Sequence, residues 1–322
     1  MLGGDMDWAI TAVITTFNRA DIIPDAINSV FSQTQAVSEL IVVDDGSSDH
    51  TECVVTTLFR GSPIPCRYIK KTNGGMATSL NRGIDEAVGD WIAFLDDDDL
   101  WSQDHIERCM NIVGNQPGLE CIAGLRHEKG VLQTIPEHLT DQFERIDING
   151  PILVRRRAPL WAPFFTPVVG TAVVKKELFK KIRFSTEVGA RLDIHFFWRL
   201  AQLTDVAIDA RSHGVGRQFR ISYLSTDDEA SQDQKNKIII KRNADEIRML
   251  KHILEDDSIV DKNKFRQIYK RSLIGKAYLL RNMGDFPGAY FALKACAFRC
   301  SVIQVLKEFI LIFLKIRTRG HE

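Results

Sequence analysis

Asp96, Asp97, Asp98 and Asp99 stand side by side, after the apolar run Trp91–Leu95 (WIAFL) and before Leu100-Trp101. Adjacent carboxylates repel one another, so at a strand end they call for a cation or a basic partner. Hard oxygen donors with no Cys or His among them suit magnesium or manganese rather than zinc. Such a metal keeps several waters and takes the rest of its shell from substrate phosphates. The competing reading, a solvated acidic loop, fits poorly with the apolar residues on both sides. An EF-hand is excluded, because its glycine and distal glutamate are missing.

Two further polar clusters also sit just beyond apolar runs. Asp44-Asp45-Gly46-Ser47 follows Glu39–Val43 (ELIVV). A carboxylate there can accept hydrogen bonds from a base N–H or from ribose hydroxyls, and Gly46 permits the turn. Taken alone, the same residues also fit a helix N-cap. Thr16 and Asn18 close the run Ala9–Thr16 (AITAVITT). Gly74-Gly75 precedes a helical pattern and lets a phosphate approach a helix N-terminus, or simply makes a turn. The chain has no GxxxxGK[ST] loop, no strand-linked GxGxxG and no GxSxG. P-loop NTPases, nicotinamide-dependent dehydrogenases and α/β-hydrolases therefore lose their main support.

The elements that must position these clusters alternate. Strands are expected at Ala9–Thr16, Glu39–Val43, Cys66–Lys70 and Trp91–Leu95, and helices at Ile22–Gln33, Asp49–Phe59 and Met76–Val88. This order predicts a parallel sheet between helices, with the three polar clusters converging beyond the carboxyl ends of its strands. Residues 115–168 are proline-rich, carry Arg155-Arg156-Arg157, and read as a long loop or irregular strands facing substrate. Val168–Lys175 reads as a strand, Lys176–Lys181 and Leu192–Leu203 as helices, and Ser225–Gln234 as a linker. Helices are then expected at Ile238–Leu254, Lys264–Met283, Pro287–Phe298 and Val302–Ile316.

With 322 residues, 44% hydrophobic and 26% charged, the composition is that of a globular protein and excludes collagen and disordered chains. Lys plus Arg equals Asp plus Glu at 42 each, which argues against a nucleic-acid binder. The balance is uneven, however: residues 235–322 carry net +10 and residues 1–234 net −10. A basic tail suits an anionic membrane surface, or simply solvated helices. Its apolar Val302–Ile316 is too short and too charged to span a bilayer, and suits lying in the interface or packing against a second subunit in a homodimer. The six cysteines form no CxxC pair and no Cys/His cluster with zinc spacing, so reduced thiols are expected. The N-terminus lacks the basic start of a signal peptide.

Together the segments VITTFNRADIIPDAINSVFSQT, ELIVVDDGSSDHT, NGGMATSLNRGIDEAVGDWIAFLDDDDLW and KKELFKKIRFSTEVGARLDIHFFWRLA resemble, in order and spacing, the family 2 glycosyltransferases, which have the GT-A fold. The resemblance covers residues 9–225. It implies an α/β domain over 1–225, a Rossmann-like, mostly parallel sheet flanked by helices, followed by a helical region over 226–322. It further implies metal-dependent transfer of a sugar from a nucleotide donor, UDP- or dTDP-linked, to a glycan or lipid-linked acceptor, with inversion at the anomeric carbon. The expected setting is cell-surface polysaccharide synthesis, in the cytoplasm or peripheral on the inner face of the plasma membrane.

Matched residue by residue, Thr16 and Asn18 fall at the first nucleotide-binding strand end, and Asp45, with Asp44 beside it, at the carboxylate that reads the base. Asn73, Gly75 and Asn81 match the segment bordering the diphosphate, and Asp97 joins the donor-binding group. Asp96 and Asp98 form the DxD pattern, and either Asp98 or Asp99 lies nearest the Mn or Mg ion. Asp193 matches the general base. Leu192 stands where the family has a preceding glutamate, and Thr78-Ser79-Leu80 lacks an arginine common in relatives, which passes the diphosphate charge to Arg82, Arg217 or Arg220. His195 competes as base, although a helix turns it away from Asp193. Trp161, Phe164 and Phe165 are candidates for stacking on an acceptor sugar or for the core, and His213 is a candidate metal contact or an ordinary surface histidine. A sugar-phosphate nucleotidyltransferase would show a glycine-rich basic signature after the first strand, where this chain has ITTFNR. A non-catalytic nucleotide- or sugar-binding scaffold would have no need of Asp45, Asp96, Asp98 and Asp193.

Overall fold

A computed structural model describes residues 8–128, 131–132, 144–145, 152–154, 167–216, 232–255, 263–283, 285, 287–289 and 291–292. Arg155–Arg157, Trp161, Phe164, Phe165, Arg217, Arg220 and the expected helix Val302–Ile316 lie outside them. The chain divides into two compact units, Met1–Thr186 with Leu192–Phe219, and Glu187–Arg191 with Arg220–Glu322.

The first unit begins with the expected alternation: β1 (Ile10–Thr16), α1 (Ile23–Phe31), β2 (Glu39–Asp44), α2 (Thr51–Phe59), β3 (Cys66–Lys70), α3 (Met76–Glu86) and β4 (Trp91–Asp96). β1 lies between β2 and β4 and pairs in parallel with both, Ile14 opposite Val42 on one side and Leu95 on the other. Strands covered on both faces need continuous apolar sequence, which is why β1, β2 and β4 read as β-branched and aromatic runs. α1 starts beside Pro24 and turns Ile23, Ala26, Ile27 and Val30 into the same core as Ile10, Ile14, Leu40 and Leu95. On the other face, α3 approaches β1 at Gly83: a Cβ there would lie 2.4 Å from Val13 Cγ1.

β5 (Asp99–Trp101), α4 (His105–Asn115), β6 (Cys121–Glu128), β7 (Val131–Leu132), β8 (Glu144–Arg145) and β9 (Ile152–Val154) follow. Next come β10 (Ala172–Lys175), a 3-10 helix at Lys176–Lys180, α5 (Leu192–Leu200) and β11 (Val206–Gly216). Among the described residues the sheet order is β3-β2-β1-β4-β10-β6-β11-β9-β8, with β5 on β11 and β7 on β6. Pairing is parallel through β3-β2-β1-β4 and between β6 and β11, while β10 runs antiparallel between β4 and β6.

Of the two alternatives for 115–168, a loop or irregular strands, the described residues include strands, among them β6, whose Cys121–Leu125 is buried. One reading of the middle is corrected. The expected strand Val168–Lys175 opens as a 3-10 turn at Val169–Thr171, where the Thr171 hydroxyl donates to the Gly124 carbonyl at 2.7 Å. α4, β5 and β11 were not anticipated.

A buried carboxylate locks the end of the sheet away from the crevice. Glu39 accepts the Thr11 hydroxyl at 2.6 Å, the Val88 N–H at 2.7 Å and Arg67 Nη2 at 2.9 Å. Burial alone would raise its carboxyl, but these donors outweigh it and hold the group below the usual glutamate value.

In the second unit, α6 (Gln232–Glu255) and α7 (Asn263–Asn282) bury Leu250, Ile253, Phe265 and Leu273, and the Asn243 amide donates to the Ser272 carbonyl at 3.0 Å. Residues 287–289 and 291–292 are helical, and the rest of the expected 287–298 helix lies outside the described residues. No helix among the described residues is long and apolar enough to cross a membrane.

The Gly83 contact generates a test. Gly83→Ala forces a methyl into Val13 and should destabilise the protein by about 1–3 kcal/mol, the usual range for overpacking. Gly61→Ala, with nothing within 4 Å of the added carbon, should leave the urea midpoint unchanged. Equal midpoints for the two variants would contradict the close approach of α3 to β1.

Candidate active site

The ends of β1, β2 and β4 meet through direct hydrogen bonds. The Thr16 hydroxyl donates to Asp97 Oδ2 at 2.7 Å, and the Asp45 N–H donates to the Thr16 carbonyl at 2.9 Å. Asn18 adopts φ +52°, a conformation that asparagine tolerates better than most residues. Its N–H donates to Ser47 Oγ at 2.8 Å, and its Oδ1 accepts the Ser48 N–H at 2.8 Å. Asp44 is fully buried and accepts the Ser47 N–H at 2.7 Å together with the Tyr68 hydroxyl. The three polar clusters therefore form one crevice at the carboxyl edge of the parallel strands.

Asp45 fastens the glycine turn. Its two oxygens accept the Gly74 N–H at 2.9 Å and the Gly75 N–H at 2.7 Å, and Lys71 forms an ion pair with it. Burial pushes the carboxyl up, but Lys71 and the two amides prevail and hold it below the ordinary aspartate value. Gly75, at φ +87°, caps α3. Gly46, at φ +84°, passes under the next segment: a Cβ would lie 3.0 Å from the Lys71 carbonyl and 3.1 Å from the Asn73 nitrogen. Asn73 and Gly75 thus border the crevice.

Asn81 is engaged elsewhere. Its amide donates to the Phe184 carbonyl at 2.9 Å and accepts the Phe184 N–H at 3.0 Å. Arg82 pairs with Glu86 at 2.6 Å.

The four aspartates occupy distinct environments. Asp97 faces Thr16, and burial pushes its carboxyl up to about 7; the Thr16 hydroxyl and Arg19 oppose that rise, while Asp98 and Asp96 add to it. Asp98 lies 3.6 Å from Arg19 Nη1. Asp96 ends β4 against Gly170, where a Cβ would come within 3.0 Å of Asp96 Oδ2. Asp99 is buried in β5, opposite Gly216 of β11 and packed near Leu95, Gly170 and Thr171. Asp96, Asp98 and Asp99 offer only oxygen donors, the chemistry that suits magnesium or manganese, and the missing side chain at Gly170 leaves room for the Asp96 carboxylate. Among the described residues the three carboxylates do not gather into a ready ligand group.

Asp193 lies in the first turn of α5, half-buried. Rings position that helix. Phe196 stacks on Phe184 with centroids 4.3 Å apart, and Phe184 meets the edge of Phe94 at 5.6 Å. Phe94 lies on β4 two residues before Asp96, and Asp193 shares a helix face with Phe196. Asn81, by gripping the Phe184 backbone, supports this arrangement. His195 is buried beside Trp198, their rings 6.0 Å apart.

Sequence reasoning missed Lys71, Arg19, Tyr68 and Gly170, whose roles depend on contacts between separate loops. It also misplaced His213. That residue is fully buried on β11, not at the surface, and its ring nitrogens meet Asp209 at 2.8 Å and His105 at 2.7 Å, with Cys109 adjacent. The structure therefore assembles a Cys/His cluster that the linear spacing did not reveal. His105 and Cys109, four apart on one helix face, were its one visible trace.

Comparison with known proteins places these features in a family. The model of "Glycosyl transferase family 2" matches residues 11–183. An uncharacterized glycosyltransferase of Nostoc sp. is 28% identical over 177 residues, 54% of this chain and 52% of that protein, so the chain spans about half the length of this relative. In fold, the chain is similar to S. aureus TarS 1-349 in complex with UDP-GlcNAc, with TM-score 0.59 and 18% identity, covering 83% of this chain and 72% of that one. It is also similar to mannosyltransferase PcManGT from Pyrobaculum calidifontis in complex with GDP-Man and Mn2+, with TM-score 0.59 and 19% identity, covering 96% and 81%.

The depressed Asp45 carboxyl sets a pH test. A carboxylate whose folded pKa lies below its unfolded value adds stability that is fully present above the unfolded value and is lost as pH falls through the folded one. Asp45→Asn should lower stability at pH 7 by about 1–3 kcal/mol, the range for hydrogen bonds to a buried charge. The gap to the natural protein should close in acid, below the ordinary aspartate range. A gap that stays constant from pH 7 to strong acid would contradict the ion pair with Lys71.

Proposed function

The chain belongs to glycosyl transferase family 2, and from that premise we propose that it is an inverting, metal-dependent enzyme that moves a sugar from a UDP- or dTDP-linked donor to a hydroxyl of a glycan or lipid-linked acceptor. The observation that carries this reading is the 2.7 Å bond from Thr16 to Asp97, which brings the ends of β1 and β4 together beside the carboxylate run. Nucleotide ligands of open α/β sheets bind in such a crevice.

Thr16, Asn18, Asp44 and Asp45 shape the nucleoside end, Asp45 by holding the Gly74-Gly75 turn over it. Asn73 and Gly75 border the diphosphate from the turn before α3, with the Gly75 N–H itself given to Asp45. Asn81 acts at one remove, by fixing Phe184 under α5. Asp96, Asp98 and Asp99 would hold the divalent cation, while Asp97 is bonded to Thr16. When bound, the cation supplies Lewis-acid stabilisation of the charge that develops on the departing nucleoside diphosphate.

An acceptor hydroxyl is a weak nucleophile, so its proton must leave as it attacks. Asp193 takes that proton on its carboxylate. The hydroxyl oxygen bonds to the anomeric carbon from the face opposite the diphosphate while the bond from that carbon to the diphosphate oxygen breaks, which inverts the centre. His195, buried against Trp198, is poorly placed for this duty.

The catalytic domain is taken as 1–225 and the helical region as 226–322. The +10 net charge of residues 235–322 supports attachment of a cytoplasmic protein to an anionic inner membrane face, near lipid-linked acceptors of cell-surface polysaccharide synthesis.

Two substitutions test the reading. Asp98→Ala should abolish transfer and weaken manganese-dependent UDP binding while the far-UV circular dichroism is unchanged; full transfer by chelator-treated natural protein would rule out the metal. Asp193→Asn should cut turnover by about a hundredfold or more, the general-base range, with donor affinity nearly unchanged. A loss of less than about tenfold would make Asp193 structural.

A further inference from the structure

His105, Cys109 and His213 converge in the core of the first unit. The two Nδ1 atoms lie 2.7 Å apart, and Cys109 Sγ lies 3.9 Å from that of His105 and 3.7 Å from that of His213. All three residues are fully buried. The group lies apart from the carboxylate crevice, and the transfer reaction does not use it.

From this geometry we propose that His105, Cys109 and His213 form a structural zinc site. Zinc bonds of about 2.0–2.1 Å to nitrogen and about 2.3 Å to sulfur, in tetrahedral geometry, place ligand atoms roughly 3.3–3.6 Å apart. The observed triangle is close to that. Its one short edge, between the imidazoles, is a hydrogen bond that opens when both nitrogens turn to a metal. The described residues supply three ligands and leave one position.

The surroundings match those of a metal-bound histidine. His213 Nε2 lies 2.8 Å from Asp209 Oδ2, the carboxylate–histidine pairing that fixes the tautomer and leaves Nδ1 as a donor atom. Asp209 is itself buried and held by Arg108 Nη2 at 2.8 Å and Arg211 Nη2 at 2.8 Å. Gly124 makes the space: a Cβ there would fall 2.0 Å from His213 Cγ. The Trp101 ring lies over His105 with centroids 4.6 Å apart. His105 Nε2 has no hydrogen-bond partner among the described residues, so the polar contacts of the ring are those of Nδ1, the nitrogen that faces the cluster.

Protons balance simply. Without metal, the proton on His105 Nδ1 bridges to His213 Nδ1, and Cys109 is a thiol. On binding, the His105 proton moves to Nε2, and Cys109 releases its own to solvent and binds as thiolate. The site would clamp α4 to β11. β11 pairs with β5, Gly214 opposite Trp101 and Gly216 opposite Asp99, and the His213 carbonyl accepts the Ser102 N–H at 2.9 Å. The metal would thus brace the strand that carries Asp99.

The test uses the full chain with Asp98→Ala, which disables the carboxylate site so that only the buried one can report. Purified from zinc-supplemented medium and passed through a chelator, this protein should retain one zinc per chain. Its cobalt-exchanged form should show tetrahedral ligand-field bands and a thiolate charge-transfer band. Adding Cys109→Ser or His213→Gln should remove the retained zinc, and Cys109→Ser the charge-transfer band. Absence of retained zinc and of any cobalt–thiolate band in the Asp98→Ala protein would overturn the proposal. So would a charge-transfer band that survives Cys109→Ser, or retention of copper in place of zinc. If the double variants do not fold, the cobalt spectrum of Asp98→Ala alone decides between these outcomes.

Discussion

Mutual repulsion among Asp96, Asp97, Asp98 and Asp99 is the constraint around which the first unit is built. Four carboxylates at one strand end are tolerable only if each meets a different compensating group, and the fold provides this. Asp97 takes the Thr16 hydroxyl, and burial pushes its carboxyl up to about 7. Asp98 leans on Arg19 from the loop after β1. Asp96 lies against Gly170, where a Cβ would come within 3.0 Å of its Oδ2, and Asp99 is buried in β5 opposite Gly216 of β11.

The rest of the unit holds these strand ends still. β1 pairs with a parallel neighbour on each side, so the loops after β1, β2 and β4 must leave the sheet together. The aromatic chain Phe94, Phe184 and Phe196 then carries position from β4 to α5, and with it to Asp193. Asn81 secures the middle of that chain by bonding both backbone groups of Phe184. Rigid packing of this kind sets catalytic geometry from a distance, since small displacements of a base or metal ligand are costly to rate.

The parallel half of the sheet was legible in the sequence because strands buried on both faces must be continuously apolar and must stop where polar work begins. β1, β2 and β4 obey that rule, and each stop falls in the crevice. Legibility failed where polar residues are buried inside regular elements. β11 carries Asp209 and His213 in its interior, which hides it from a hydrophobicity pattern, and β6 is interrupted by Gly124, whose reason is the His213 ring opposite. Roles that rest on distant partners were also hidden. Nothing near Asn81 indicates Phe184, 103 positions away, and nothing in the DDGS segment indicates that Asp45 spends both oxygens on Gly74 and Gly75. The polar clusters at the strand ends could be read from one dimension, but the partners that each residue bonds required three.

Coupling between metal and nucleotide at the carboxylate turn is the central claim, and melting curves measure it directly. The natural protein is heated with UDP, with manganese, with both, and with UDP in excess chelator. A ligand that binds only the folded state stabilises it by RT ln(1 + [L]/Kd) and so raises the melting temperature. The carboxylate turn predicts a rise with UDP and manganese together that exceeds the sum of the two separate rises, and little rise with UDP in chelator. An equal rise with UDP whether manganese is present or removed would contradict it.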